Sequence, residues 1–172
     1  MVVAGVVGGA AFSRHTPQGN VSAGGATLVA VAPSTTPPAL AVIDGADPKD
    51  SGCALDPDVV TLDSAEVDYQ GLPAGLDELR YSPRCGVAWT RFEPFPKATI
   101  PVNALIHVDV VRPDSHNLRL PFSIRYSGAP VYGNVMVSTQ DCVYAAATIE
   151  VAGKLLPESR THCFRGRTPV LN

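Results

Sequence analysis

The chain has 172 residues, 45% of them hydrophobic, and a formal net charge of -3. That length and apolar content fit one globular domain able to bury a core. The weak acidic balance excludes a general nucleic-acid binder and a polybasic membrane-surface protein, both of which need a basic surface.

The run from Val2 to Phe12, VVAGVVGGAAF, is apolar and built from small residues. It is shorter than the roughly 20 residues of a bilayer span and lacks the basic start of a signal peptide. Residues 1–12 therefore read as the remnant of a membrane helix or of a signal sequence. A membrane anchor at residues 2–12 or upstream of them is the expectation, with a small-residue strand or a disordered end as the plain alternative. Residues 13–40 are rich in Gly, Ser, Thr, Ala and Pro, and APSTTPPA has the composition of an extended spacer. They are expected to form a flexible linker, although Ala26 to Ala32, ATLVAVA, could add an edge strand to the domain or to a partner.

A folded domain is expected over residues 41–165, with a C-terminal tail at 166–172. Ala65, Val67 and Tyr69 alternate with Glu66 and Asp68. Glu78 to Ser82 and Val87 to Phe92 flank Pro83-Arg84-Cys85-Gly86, which has turn chemistry. In Ala104 to Arg112, Ile106, Val108 and Val110 share one face, with His107 and Asp109 on the other. Leu118 to Tyr126 also alternates, and Pro121, which cannot donate to a ladder, marks that strand as an edge or a bulge. Asn134 to Thr139 reads as a short strand. Cys142 to Val151 reads as strand or helix, with Thr148, Ile149 and Val151 favouring strand. Short strands between Gly and Pro turns predict an all-β fold, a small antiparallel sandwich or barrel.

Charge is unevenly spread. Ten acids and one base, Lys49, lie between Asp44 and Glu78, whereas eleven Lys and Arg face six Asp and Glu from Leu79 onward. The favoured expectation is that folding mixes the two signs. The four cysteines, Cys53, Cys85, Cys142 and Cys163, include no Cys-x-x-Cys pair. That argues against a zinc ribbon or a thioredoxin-type site and favours disulfides. Four cysteines allow three connectivities. Local pairing, Cys53–Cys85 and Cys142–Cys163, is the first choice, each bridge contributing about 3–4 kcal/mol by restricting the unfolded chain.

Three constellations are candidates for chemistry. His107-x-Asp109 with His162 downstream has the layout of a two-His, one-carboxylate iron site. Asp44, Asp47 and Asp50, with Asp56 and Asp58 beyond, could bind calcium, against the plainer reading of side chains that satisfy turn amides. Arg80, Arg84 and Arg91 cluster around Tyr81 and Trp89, a set that could bind an anionic polymer or stack on a sugar ring. The plainer reading packs Trp89 against a cystine and pairs the arginines with the acidic segment. There is no Gly-x-Ser-x-Gly elbow, and no motif calls for a cofactor.

Two segments carry a resemblance. One is Asp44-Gly45-Ala46-Asp47-Pro48, followed by Ser51-Gly52-Cys53 and Val60-Thr61-Leu62. The other is the run Glu78-Leu79-Arg80-Tyr81-Ser82-Pro83-Arg84-Cys85-Gly86-Val87-Ala88-Trp89-Thr90-Arg91. Together they resemble an actinobacterial extracytoplasmic domain family of unknown function. That domain often lies C-terminal to a membrane helix in helix-turn-helix regulators, and also occurs in small secreted proteins. The resemblance covers about Asp44 to Phe92 and implies a secreted or membrane-anchored domain. Relatives often carry a further cysteine near the Asp-Gly motif, where this chain has Ile43. The leading functional expectation is a non-enzymatic binding or sensing domain for an unidentified extracellular ligand or protein partner, with no nucleic acid. The alternatives are a structural or interaction subunit of a cell-surface assembly and, more remotely, a metal-dependent enzyme.

Overall fold

The computed structural model describes residues 41–171, so the expectations for segments 1–12 and 13–40 lie outside the described residues. A 3₁₀ turn at Cys53–Leu55 is followed by strands β1 (Val60–Tyr69), β2 (Leu72–Ser82), β3 (Val87–Pro94), β4 (Leu105–Arg112), β5 (Leu118–Arg125), β6 (Val131–Val137) and β7 (Tyr144–Val151). Four short strands complete the chain: β8 (Lys154–Leu155), β9 (Ser159–Arg160), β10 (Cys163–Arg165) and β11 (Thr168–Val170). The last of these lies in the segment expected to be a tail and pairs with β10.

The strands build two antiparallel sheets. The first has the order β1-β2-β3-β6, and the second has β5-β4-β7, with β8 and β9 both paired to β7. Two-residue turns close the tightest hairpins. Gln70-Gly71 joins β1 to β2 and Ala152-Gly153 joins β7 to β8, with φ positive at both residues of each. That geometry matches the right-handed twist of the flanking strands. Cys142 to Val151 resolves to a strand from Tyr144, because its small side chains Ala145, Ala146 and Ala147 are buried against neighbours. Pro121 sits on β5, an edge strand as expected.

Alternation decides what faces the interior. Leu79 and Tyr81 of β2, Ala88 of β3, Val110 of β4 and Met136 of β6 form one part of the inter-sheet core. Val67, Phe92, Ile106, Val108 and Ile149 form another. A third cluster lies on the opposite face of the first sheet. There Val87, Trp89 and Val135 pack against Cys53 and Cys85, with Val42, Ala46 and Val59 over them. The first sheet is thus covered on both faces, by the second sheet and by the segment that precedes β1.

Both bridges follow the local pairing, Cys53–Cys85 and Cys142–Cys163, and no described cysteine is free. Cys53–Cys85 ties the 3₁₀ turn to the β2–β3 turn. Asp56 reinforces that junction: it is buried and accepts hydrogen bonds from Ser82 Oγ (2.6 Å), Arg84 N (3.1 Å) and Asp58 N (3.0 Å). Burial raises its pKa, but those hydrogen bonds outweigh burial and hold the carboxyl below its ordinary value. The two signs of charge are mixed: Arg91 pairs with Glu78, and Arg112 with Asp44.

Candidate functional site

A cleft of about 530 Å³ opens between the 3₁₀ turn and the outer face of the first sheet. Its lining includes Lys49, Leu55, Arg80, Trp89, Arg91 and Tyr132. Strand register brings these together. Arg80 on β2 lies opposite Trp89 on β3, and Glu78 lies opposite Arg91, so two arginines and the indole share the outer face. A register shift between β3 and β6 adds the aromatic wall. Trp89 pairs with Val135 but Arg91 pairs with Tyr132, three residues back rather than two. The extra residue on β6 turns Tyr132 to the outer face. The Arg91 guanidinium carbon lies 5.6 Å from its ring centroid, and Lys49 Nζ lies 4.1 Å from the same centroid.

The charges are partly committed. Arg91 bonds Glu78 (3.0 Å) and Glu93. Arg80 donates to Thr61 Oγ1 at 2.6 Å and lies 3.6 Å from Glu78. Two donors are left over: Trp89 Nε1 and Arg91 Nε are buried without a hydrogen-bond partner among the described residues. Leu55, on the lip, is 78% exposed.

Of the sequence-predicted set, the structure thus unites Arg80, Trp89 and Arg91. Arg84 stands apart, exposed in the β2–β3 turn. Trp89 packs against the Cys53–Cys85 cystine, and its face still floors the cleft. Sequence reading missed Lys49, Leu55 and Tyr132. Lys49 and Leu55 belong to the loop that the bridge folds back, and Tyr132 depends on the register shift, which leaves no mark in the alternation.

The two metal constellations are not assembled, and no group of three His, Cys, Asp or Glu side chains is gathered for a metal ion among the described residues. Asp44 bonds Arg112 (2.9 Å) and accepts from Val137 N (2.7 Å), while Asp47 accepts from Lys49 N (2.7 Å) and Asp50 N (3.0 Å) in a turn. Asp56 and Asp58 are joined in the turn already described. Of the iron set, Asp109 bonds Arg119 (2.7 Å) and His162 bonds Asp63 (2.8 Å). His107 takes part in a different arrangement. Its Nδ1 lies 2.6 Å from Ser123 Oγ and its Nε2 lies 2.8 Å from Glu150 Oε2. This Ser–His–Glu row has the connectivity of a hydrolytic triad. It crosses the solvent face of β5, β4 and β7, and none of the three residues lines the cleft.

A second cleft of about 460 Å³ includes Tyr144, Arg160 and His162. Its charges are satisfied within the fold, Arg160 by Glu158 and His162 by Asp63. The first cleft is lined by two residues with unpartnered buried donors, against none in the second and Arg112 alone in the cleft beside Asp44, which makes it the candidate site. Among the described residues no helix is long and apolar enough to cross a membrane, and the two bridges are consistent with an oxidising environment. Compared with protein-family models, curated proteins and solved structures, the chain matches none.

Proposed function

We propose that the chain is a non-enzymatic, extracytoplasmic binding or sensing domain whose ligand occupies the cleft floored by Trp89. The observation that carries this reading is a preformed concavity, lined by cations and aromatic rings, under a loop fastened by Cys53–Cys85. Concave sites that combine apolar walls with a few convergent polar groups are where small ligands bind. The bridges support a location outside the cytoplasm, secreted or membrane-anchored. The resemblance to the actinobacterial extracytoplasmic domain family supports the same placement, and its longer motif supplies the cleft residues Arg80, Trp89 and Arg91. Asp44 and Gly45 of the shorter motif hold the preceding segment against β6 through Val137 N and Val135 O.

Two measurements test this. The full chain, exported to an oxidising compartment of a host and assayed for thiols, is expected to show none; four reactive thiols would overturn the placement. A library of small fragments, added to the isotope-labelled protein, is expected to shift backbone resonances around Lys49, Arg80 and Tyr132. Shifts confined to the His107 row would instead favour a hydrolytic enzyme.

A further inference from the structure

The chemistry of the cleft narrows its ligand. Every strongly polar side chain in its lining, apart from Tyr132, is a donor only: Lys49, Arg80, Arg91 and Trp89. Trp89 is 1% exposed, and neither its Nε1 nor Arg91 Nε has an acceptor among the described residues. A buried donor without an acceptor is costly, and native folds tolerate few of them. Both belong to residues that line the same cleft, where an acceptor from outside the described fold would be nearest to them.

Charge sets the sign and size of that acceptor. Lys49, Arg80 and Arg91 bring three positive charges, and Glu78 and Glu93, both held by Arg91, return two negative ones. One positive charge is uncompensated, and Lys49 forms no ion pair among the described residues. A monoanion balances the site, whereas a dianion would bring a surplus negative charge beside Glu78 and Glu93. The rest of the lining is apolar: Ala54, the exposed Leu55, Val59 and the Tyr132 ring.

From these features we infer that the cleft binds an organic monocarboxylate with an apolar or aromatic body, the carboxylate received by Lys49, Arg80 and the buried donors, and the body by Leu55 and Tyr132. The inference rests on the cleft being the binding site. A free acid and the terminal carboxylate of a peptide share this chemistry, and the probes separate them.

Trp89 is the only tryptophan, so its indole N–H gives a single cross-peak in a proton–nitrogen spectrum. The full chain is titrated with benzoate, with N-acetyl-phenylalanine as the peptide-end mimic, and with benzyl alcohol and inorganic phosphate as controls. One or both carboxylates should move that cross-peak downfield and saturably. The one that binds more tightly identifies the source. Benzyl alcohol and phosphate should bind at least about tenfold more weakly, as expected for loss of one charge-assisted contact. Lys49→Gln and Arg80→Gln should each weaken the preferred carboxylate by a similar factor while leaving the circular dichroism spectrum unchanged. Equal saturation by benzyl alcohol would overturn the carboxylate assignment and leave the cleft a binding site. An unmoved indole cross-peak with every probe would overturn the assignment outright, and the fragment shifts would then judge the cleft by themselves.

Discussion

Asp77 is the residue whose environment departs furthest from what its type prefers. It lies on β2 in step with Leu79 and Tyr81, so it points between the sheets and is fully buried. Burial pushes its carboxyl up to about 8; the hydrogen bond from Ser159 opposes this, and the charges of Glu158 and Asp109 reinforce it. The geometry agrees with a neutral acid. Ser159 Oγ lies 3.2 Å from both Asp77 Oδ2 and Ala147 O, and its one proton serves only one of them. A protonated Asp77 donates to Ser159 Oγ, which frees the serine to donate to Ala147 O. Because the folded pKa exceeds the unfolded one, the folded state holds an extra proton between about pH 4 and 8. Stability should fall by up to about 1.4 kcal/mol per pH unit as pH rises through that window. Below it the sign reverses, since Asp56, Asp63 and Glu158 have lowered pKa values and lose their contribution on protonation. Urea midpoints at pH 5 and pH 8 should therefore differ for the native chain and nearly coincide for Asp77→Asn; a shared slope would show that another group titrates. The strand parity with Leu79 and Tyr81 was readable in the sequence. The burial was not, because nothing in the acidic run marks which carboxylate a facing sheet will cover.

At the scale of elements, the sequence read best where one face is wet and the other dry. The alternation of Ile106, Val108 and Val110 against His107 and Asp109 became β4, with that isoleucine and both valines fully inside. Reading failed where register departs from simple alternation. Strand β6 begins at Val131 rather than Asn134, because Tyr132-Gly133 resembles a turn until the register shift opposite Arg91 absorbs it. Gly133 is needed there for a second reason: a Cβ on it would sit 3.3 Å from Val108 O of the facing sheet. Gly75 of β2 is tighter still, since a Cβ would lie 2.5 Å from Glu93 O and 2.6 Å from the Phe92 ring. Backbone cannot yield as a flexible side chain can, so Gly75→Ala should cost about 1–3 kcal/mol in urea unfolding. An Ala variant as stable as the native chain would mean that β2 shifts along β3 without penalty.

For the whole molecule, composition and turn spacing were enough to give an antiparallel all-β domain with local bridges. They did not reveal that the first sheet carries a second apolar layer beneath residues 42–59, because that layer is made by one strand face and a loop rather than by two patterned strands. Nor did they show the short strands after Lys154, which hold too few residues to display a period. The layered design predicts stepwise loosening. Replacing both Cys53 and Cys85 by Ser should free the outer loop, shift Trp89 fluorescence to longer wavelength and weaken carboxylate binding, while the β-sheet signal persists until higher denaturant. Coincident loss of both signals would show one cooperative unit instead. The bridges also bear on biogenesis. Each joins a cysteine to the next one along the chain, at separations of 32 and 21 residues. If the chain is exported amino end first, as proposed, each cysteine that emerges second in a pair meets its native partner. It has no mispaired intermediate to undo, so its maturation should need an oxidase but no disulfide isomerase.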